Sequence, residues 1–75
     1  MLKKSIGFKI KTIREQKAIS QAKLANESKI TAAYLCELES GAKTNPSFSV
    51  LQKLATALGI KVTDLLEELE DEEHS

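Results

Sequence analysis

Seventy-five residues, 41% of them hydrophobic and 29% charged, allow one small domain that buries only about 60–65% of its unfolded surface and is marginal without a partner subunit. Cys36 and His74 are the only cysteine and histidine, which excludes an internal disulfide and a zinc site of ordinary ligand count; with no ~18-residue apolar run and no signal-peptide pattern, a cytoplasmic setting without membrane association is expected. The formal net charge of zero conceals a split: residues 1–43 carry nine basic and four acidic groups, a net of +5, while residues 44–75 carry two basic and seven acidic groups, a net of −5, so a polyanion is drawn to one end and repelled by the other.

Ile6, Ile10 and Ile13 recur at i, i+4 and i+7, the inward stripe of a first helix from about Ser5 to Lys17. Ser20 is placed to cap a second helix, with Leu24 and Ala25 facing inward. Thr31 is the natural cap of a third, which turns Leu35 and Leu38 to the core and ends at Gly41 in the left-handed closing position. The stretch AKTNPS (42–47) is a loop, because Asn45 precedes Pro46 and is biased away from helix. Phe48, Leu51, Leu54, Ala55 and Leu58 mark a fourth helix that ends at Gly59. Thr63 is the expected cap of a fifth, in which Val62, Leu65, Leu66 and Leu69 form an apolar strip ahead of an acidic tail. Period-2 alternation, repeats and low-complexity tracts are missing from the chain, so the expected fold class is all-α: five short helices over residues 1–70, followed by a flexible acidic tail at 71–75.

Within that map the run SQAKLANESKITAAYLCELESG (20–41) reads as two short helices joined by a tight turn, the second closed by glycine. This is the layout of a helix-turn-helix, whose second helix can lie in the major groove of DNA. Nothing in the chain provides a nucleophile–base pair, a carboxylate dyad or a phosphate-cradling glycine loop, so no enzymatic activity and no cofactor are expected.

The motifs IKxIRE in helix 1, SQxxLA opening helix 2, YLxxLExG closing helix 3 and LxKLAxALGI with a later Leu–Leu pair in helices 4 and 5 follow one another in order across roughly residues 5–70. Taken together they resemble the phage repressor/Cro class of helix-turn-helix domains, the XRE family. The TNPS loop is similar to that of restriction–modification controller proteins and of small phage or biofilm repressors, and on that resemblance no small-molecule effector domain is expected. The fold implied is a compact, lambda-repressor-like bundle.

The resemblance also implies roles for particular residues. Gln21, in the first turn of helix 2, would reach a phosphate or buttress helix 3. Arg14 and Glu39 would form an internal ion pair tying helix 1 to helix 3, because a partly buried charge needs a partner. The groove-facing positions of helix 3 would be Thr31, Ala32, Ala33, Cys36, Glu37 and Ser40, with Lys11 and the loop residues Lys43, Thr44 and Asn45 also on the DNA side. This chain departs from the family where Gln, Arg, Ser or Asn commonly read bases: two alanines, a thiol and a carboxylate stand there. Alanine can touch a thymine methyl and a carboxylate can accept from cytosine N4, so phosphate positioning and DNA shape would carry much of the specificity. Cys36 stands beside Glu37 and lacks the neighbouring positive charge that activates a thiol, so a small groove-facing side chain is its expected role rather than a redox switch. Ala18 replaces the glycine that commonly closes helix 1 in relatives, and a left-handed alanine there would cost roughly 1 kcal/mol.

The expected function is a sequence-specific, DNA-binding transcriptional regulator, a repressor or autoregulator acting on double-stranded DNA as a homodimer. Two copies of helix 3 would enter successive major grooves about 34 Å apart on an inverted-repeat operator. Helix 5 carries more leucine than one small core absorbs, which places Leu65 and Leu69, with Ile60, at the dimer interface. The alternative is a protein-interaction module of the same fold, such as an antitoxin-like subunit that binds a partner protein.

Overall fold

The computed structural model describes the backbone of residues 6–71 and the side chains of residues 6–66. These form five helices and no strand: α1 (Ile6–Gln16), α2 (Gln21–Glu27), α3 (Ala32–Ser40), α4 (Phe48–Leu58) and α5 (Val62–Asp71). Helix starts are set by short hydroxyl side chains that accept from exposed backbone N–H groups. Ser20 Oγ accepts from Lys23 N–H at 3.0 Å, Thr31 Oγ1 from Tyr34 N–H at 3.0 Å, and Ser47 Oγ from Val50 N–H at 3.2 Å. The fifth helix begins earlier than its threonine suggests. Val62 is already helical, and Asp64 Oδ2 accepts from the Lys61 N–H at 3.1 Å. A carboxylate reaching back to the residue before the helix does the work expected of Thr63, and it also favours the positive end of the helix dipole.

Four connections turn through a left-handed residue, and only two of them carry glycine, Gly41 (φ 92°) and Gly59 (φ 76°). Ala18 (φ 58°) and Lys29 (φ 59°) occupy the other two. After α1, the Ile19 N–H donates to the Arg14 carbonyl at 3.0 Å and the Ala18 N–H to that of Glu15 at 3.1 Å. After α2, Ile30 N–H and Lys29 N–H repeat the pattern on Ala25 and Asn26, at 3.0 and 3.2 Å. Both are paired helix-end bonds of the Schellman type, which satisfy carbonyls that the helix would otherwise leave open. The apolar residues Ile19 and Ile30 that follow pack against the core and hold each turn in place. An L side chain at a left-handed position is strained. Ala18→Gly and Lys29→Gly are therefore each expected to raise stability by about 0.5–1 kcal/mol. Urea unfolding measures it, and an unchanged or lowered midpoint in both variants would refute the strain.

The core gathers one face of every helix. Ile10, Leu24, Leu35, Leu38, Leu54 and Leu65 are wholly buried, and Ile6, Ala25, Leu51, Ala55 and Leu58 nearly so. Burial of a leucine or isoleucine side chain contributes about 1.5–3 kcal/mol each, which is the main force closing a domain of this size. Leu65 corrects an expectation. With α5 packed on α1 and α4, this side chain is 0% exposed inside a single chain, so it has no surface to offer a partner subunit. Ile60 is half-buried and rests against the same core, and the side chain of Leu69 lies outside the described residues. Phe48 differs in the opposite sense: the apolar pattern counts it with the inward residues of α4, whereas at the first helical position it is 58% exposed.

Gly7 decides how closely α1 and α3 approach. It is buried in the first turn of α1, and a Cβ built on it would run into the Leu38 carbonyl oxygen. The two helices meet there backbone to backbone. That contact brings the far end of α1, with Arg14, over the last turn of α3.

Candidate nucleic-acid interface

α2, the turn at residues 28–31 and α3 make the helix-turn-helix, held from behind by one polar cluster. Arg14 Nε donates to Glu39 Oε2 at 2.8 Å and its Nη2 to Glu39 Oε1 at 2.9 Å, a two-pronged pair. Its remaining arm, Nη1, donates to the Ile19 carbonyl at 2.9 Å. Gln21 Nε2 donates to Glu39 Oε1 at 3.0 Å. A single carboxylate from α3 is thus bound by α1 and by the first turn of α2. The guanidinium and carboxyl side chains are 11% and 4% exposed, so water screens the pair little. The hydrogen bond to Glu39 raises the Arg14 pKa above its already high ordinary value, against the opposing effect of burial, with the nearby negative charges of Glu39 and Glu15 adding to the rise. The arginine stays charged at every pH at which the protein is folded, and the geometry suits it: a planar fork matches a carboxylate in a way that lysine cannot.

Gln21 is fixed by this arrangement. A carboxylate only accepts, so the amide nitrogen must face Glu39, and the amide oxygen and the second N–H point elsewhere. Of the two roles that the sequence leaves open for Gln21, the buttress of helix 3 is the one drawn by a 3.0 Å hydrogen bond.

Beyond the cluster, Thr31, Ala32, Ala33, Cys36, Glu37 and Ser40 are exposed, while Leu35 and Leu38 of the same helix are wholly buried. The helix therefore presents one continuous outer face. Its hydroxyls are partly committed. Thr31 Oγ1 accepts the capping bond already described, and Ser40 Oγ donates to the Glu37 carbonyl at 3.2 Å and accepts from Ala42 N–H at 3.4 Å. Cys36 is a free, exposed thiol. A cleft of about 310 Å³ brings Lys11, Gln21, Cys36 and Ser40 together at the junction of α1, α2 and α3, with Arg14 and Glu39 in its wall. Lys43, Thr44 and Asn45 are exposed on the loop that follows α3, and the Lys43 N–H donates to the Glu37 carbonyl at 3.1 Å, which starts that loop off the end of the helix. Two features escaped the sequence reading: Gly7, whose signal was a glycine inside an amphipathic helix pattern, and Ser47, a cap placed directly after a proline. Among the described residues no group of acidic, histidine or cysteine side chains could hold a metal ion, and no helix is long and apolar enough to cross a membrane.

A helix-turn-helix family model matches residues 10–65, three quarters of the chain. The chain belongs to the helix-turn-helix family, in its XRE branch. Among curated proteins it is 35% identical over 69 residues to the HTH-type transcriptional regulator SinR of Bacillus subtilis, covering 92% of this chain and 62% of that protein. It is 36% identical over 64 residues to the immunity repressor of Bacillus phage phi105, covering 85% of this chain and 44% of the repressor. The chain thus spans roughly half to three fifths of the length of these helix-turn-helix regulators. Among solved structures, SinR in complex with DNA superposes with a TM-score of 0.78 at 36% identity, over 81% of this chain and 97% of that one.

Proposed function

We propose that this helix-turn-helix chain is a sequence-specific DNA-binding transcriptional regulator, a repressor or autoregulator that acts in the cytoplasm as a homodimer on an inverted-repeat operator. The observation that carries the reading is the Arg14–Glu39–Gln21 cluster, which locks α3 against α1 and α2 while leaving its outer face bare. A helix held this rigidly and exposed this fully is what insertion into a major groove requires, since ordering costs are met before binding. The superposition on a SinR structure solved with DNA supports the same reading. In the bound state α3 faces base edges, the exposed Lys11, Lys43, Thr44 and Asn45 lie against phosphates, and the outward N–H of Gln21 completes the backbone contacts. Two such helices about 34 Å apart on a two-fold dimer read two half-sites. Ile60 and Leu69 remain the candidate dimer contacts, Leu65 being withdrawn into the core.

The experiment is a salt-titrated DNA-binding measurement on fragments selected from random duplexes, with sedimentation of the free protein alongside. Affinity is expected to fall steeply with salt, as counterion release demands, and the protein to sediment as a dimer at tens of micromolar. A salt-independent or undetectable interaction would refute the DNA reading, and a monomer on and off DNA would refute the dimer. One observation favours a second reading: the outer face of α3 carries no Arg, Lys, Gln or Asn. A protein-interaction module of the same fold would need none, and it would show partner binding without a salt-dependent affinity for DNA.

A further inference from the structure

The middle of α3 holds a specific combination of side chains. Ala32 and Cys36 share one helical row and Ala33 and Glu37 the next, because residues four apart lie above one another on a helix face. All four are exposed, on a helix whose Leu35 and Leu38 are wholly buried. Three of them offer small apolar surface, and the fourth is a carboxylate that only accepts hydrogen bonds. Ser40, one turn further on, has its hydroxyl turned to the backbone of Glu37 and Ala42.

Base edges in the major groove sort sharply against such a surface. Guanine shows two acceptors there, N7 and O6, and a carboxylate can bond to neither. Cytosine N4 and adenine N6 are donors, and thymine alone among the bases carries a methyl group. Short side chains at 32, 33 and 36 also let the helix sit deeper in the groove than long ones would, which brings apolar atoms within contact of that methyl.

We infer that α3 selects its half-site mainly by burying thymine 5-methyl groups against Ala32, Ala33 and Cys36, with Glu37 accepting from an adjacent cytosine N4 or adenine N6. The inference rests on the DNA-binding reading above: the family assignment and the DNA-bound relative point to DNA as the ligand, and the side chains of α3 name what on DNA is read. A steric consequence follows. Cytosine methylated at C5 places the same methyl at the same position, so it should substitute for thymine in these contacts.

The test uses the full chain and the best duplex selected from random DNA, with each thymine of a half-site replaced in turn by deoxyuridine, which removes the methyl and nothing else. Fluorescence anisotropy at fixed salt gives the affinities. At one or more thymines, deoxyuridine should weaken binding about fourfold per methyl lost from a buried contact, while thymines outside the α3 footprint should be indifferent. Cys36→Ser, a polar side chain of nearly the same shape, should bring one of those ratios towards one. A sequence-selective protein whose affinity stays within about twofold for every deoxyuridine duplex would overturn the methyl reading and leave the DNA reading intact. Failure to select any sequence would overturn both.

Discussion

Arg14→Met and Glu39→Leu are each expected to destabilise the protein by about 3 kcal/mol or more, because either change strands the other charge in a site that water reaches poorly. The guanidinium is 11% and the carboxylate 4% exposed. Removing Glu39 also leaves the Gln21 amide without its acceptor. The double variant Arg14→Met, Glu39→Leu should lose less than either single one, since an apolar pair of similar volume needs no desolvation. Urea unfolding of the four proteins gives the coupling directly. Strictly additive losses would show that the two residues do not interact. DNA affinity supplies a second readout. The double variant regains stability but not the bond that orients Gln21, so its affinity should stay below that of the wild type even where it is fully folded.

Gly7→Ala should also be destabilising, for a reason with no charge in it. The added methyl would overlap the Leu38 carbonyl oxygen, and Glu39 Cα would lie 3.1 Å away. These are backbone atoms, which have no rotamer to give way. The helices must move apart, and overpacking of this kind costs about 1–3 kcal/mol or more. Alanine's better helix propensity offsets only about 0.5–1 kcal/mol of that. Separating α1 from α3 also stretches the Arg14–Glu39 pair two turns along the same face of α1, so the loss should exceed what one methyl group displaces elsewhere. A thermal melt of Gly7→Ala beside Gly7→Ser tests this, serine being bulkier still at Cβ. Wild-type stability in Gly7→Ala would mean that α1 and α3 do not touch at this point.

These two residues show how differently a site can be legible. Arg14 and Glu39 stand 25 positions apart, and no local rule joins them. Their pairing was expected only because the order of motifs resembles a known family. Gln21 was readable as a helix-start residue, but whether it faced phosphate or protein depended on where the Glu39 carboxylate came to rest. The outward positions of α3 were likewise expected from that resemblance, and the structure leaves Ala32, Ala33, Cys36, Glu37 and Ser40 exposed while Leu35 and Leu38 of the same helix are buried.

Local chemistry in the sequence determines the five helices and most of their ends. Hydroxyl caps at Ser20 and Thr31, glycines at 41 and 59, and leucine spacing in α3 and α4 each act within a few residues, so a linear reading captures them. Tertiary structure decides what depends on distance across the chain. Leu65 is core rather than interface because α5 settles onto α1 and α4, and an apolar stripe on a helix does not say which neighbour covers it. Ala18 and Lys29 accept left-handed backbones that their own preferences oppose, because the paired end bonds and the partly buried Ile19 and Ile30 side chains beyond them outweigh about 1–2 kcal/mol of local strain. The close approach of Gly7 to Leu38 is set by what the glycine lacks, and an absent side chain acquires meaning only when another helix arrives to fill its place.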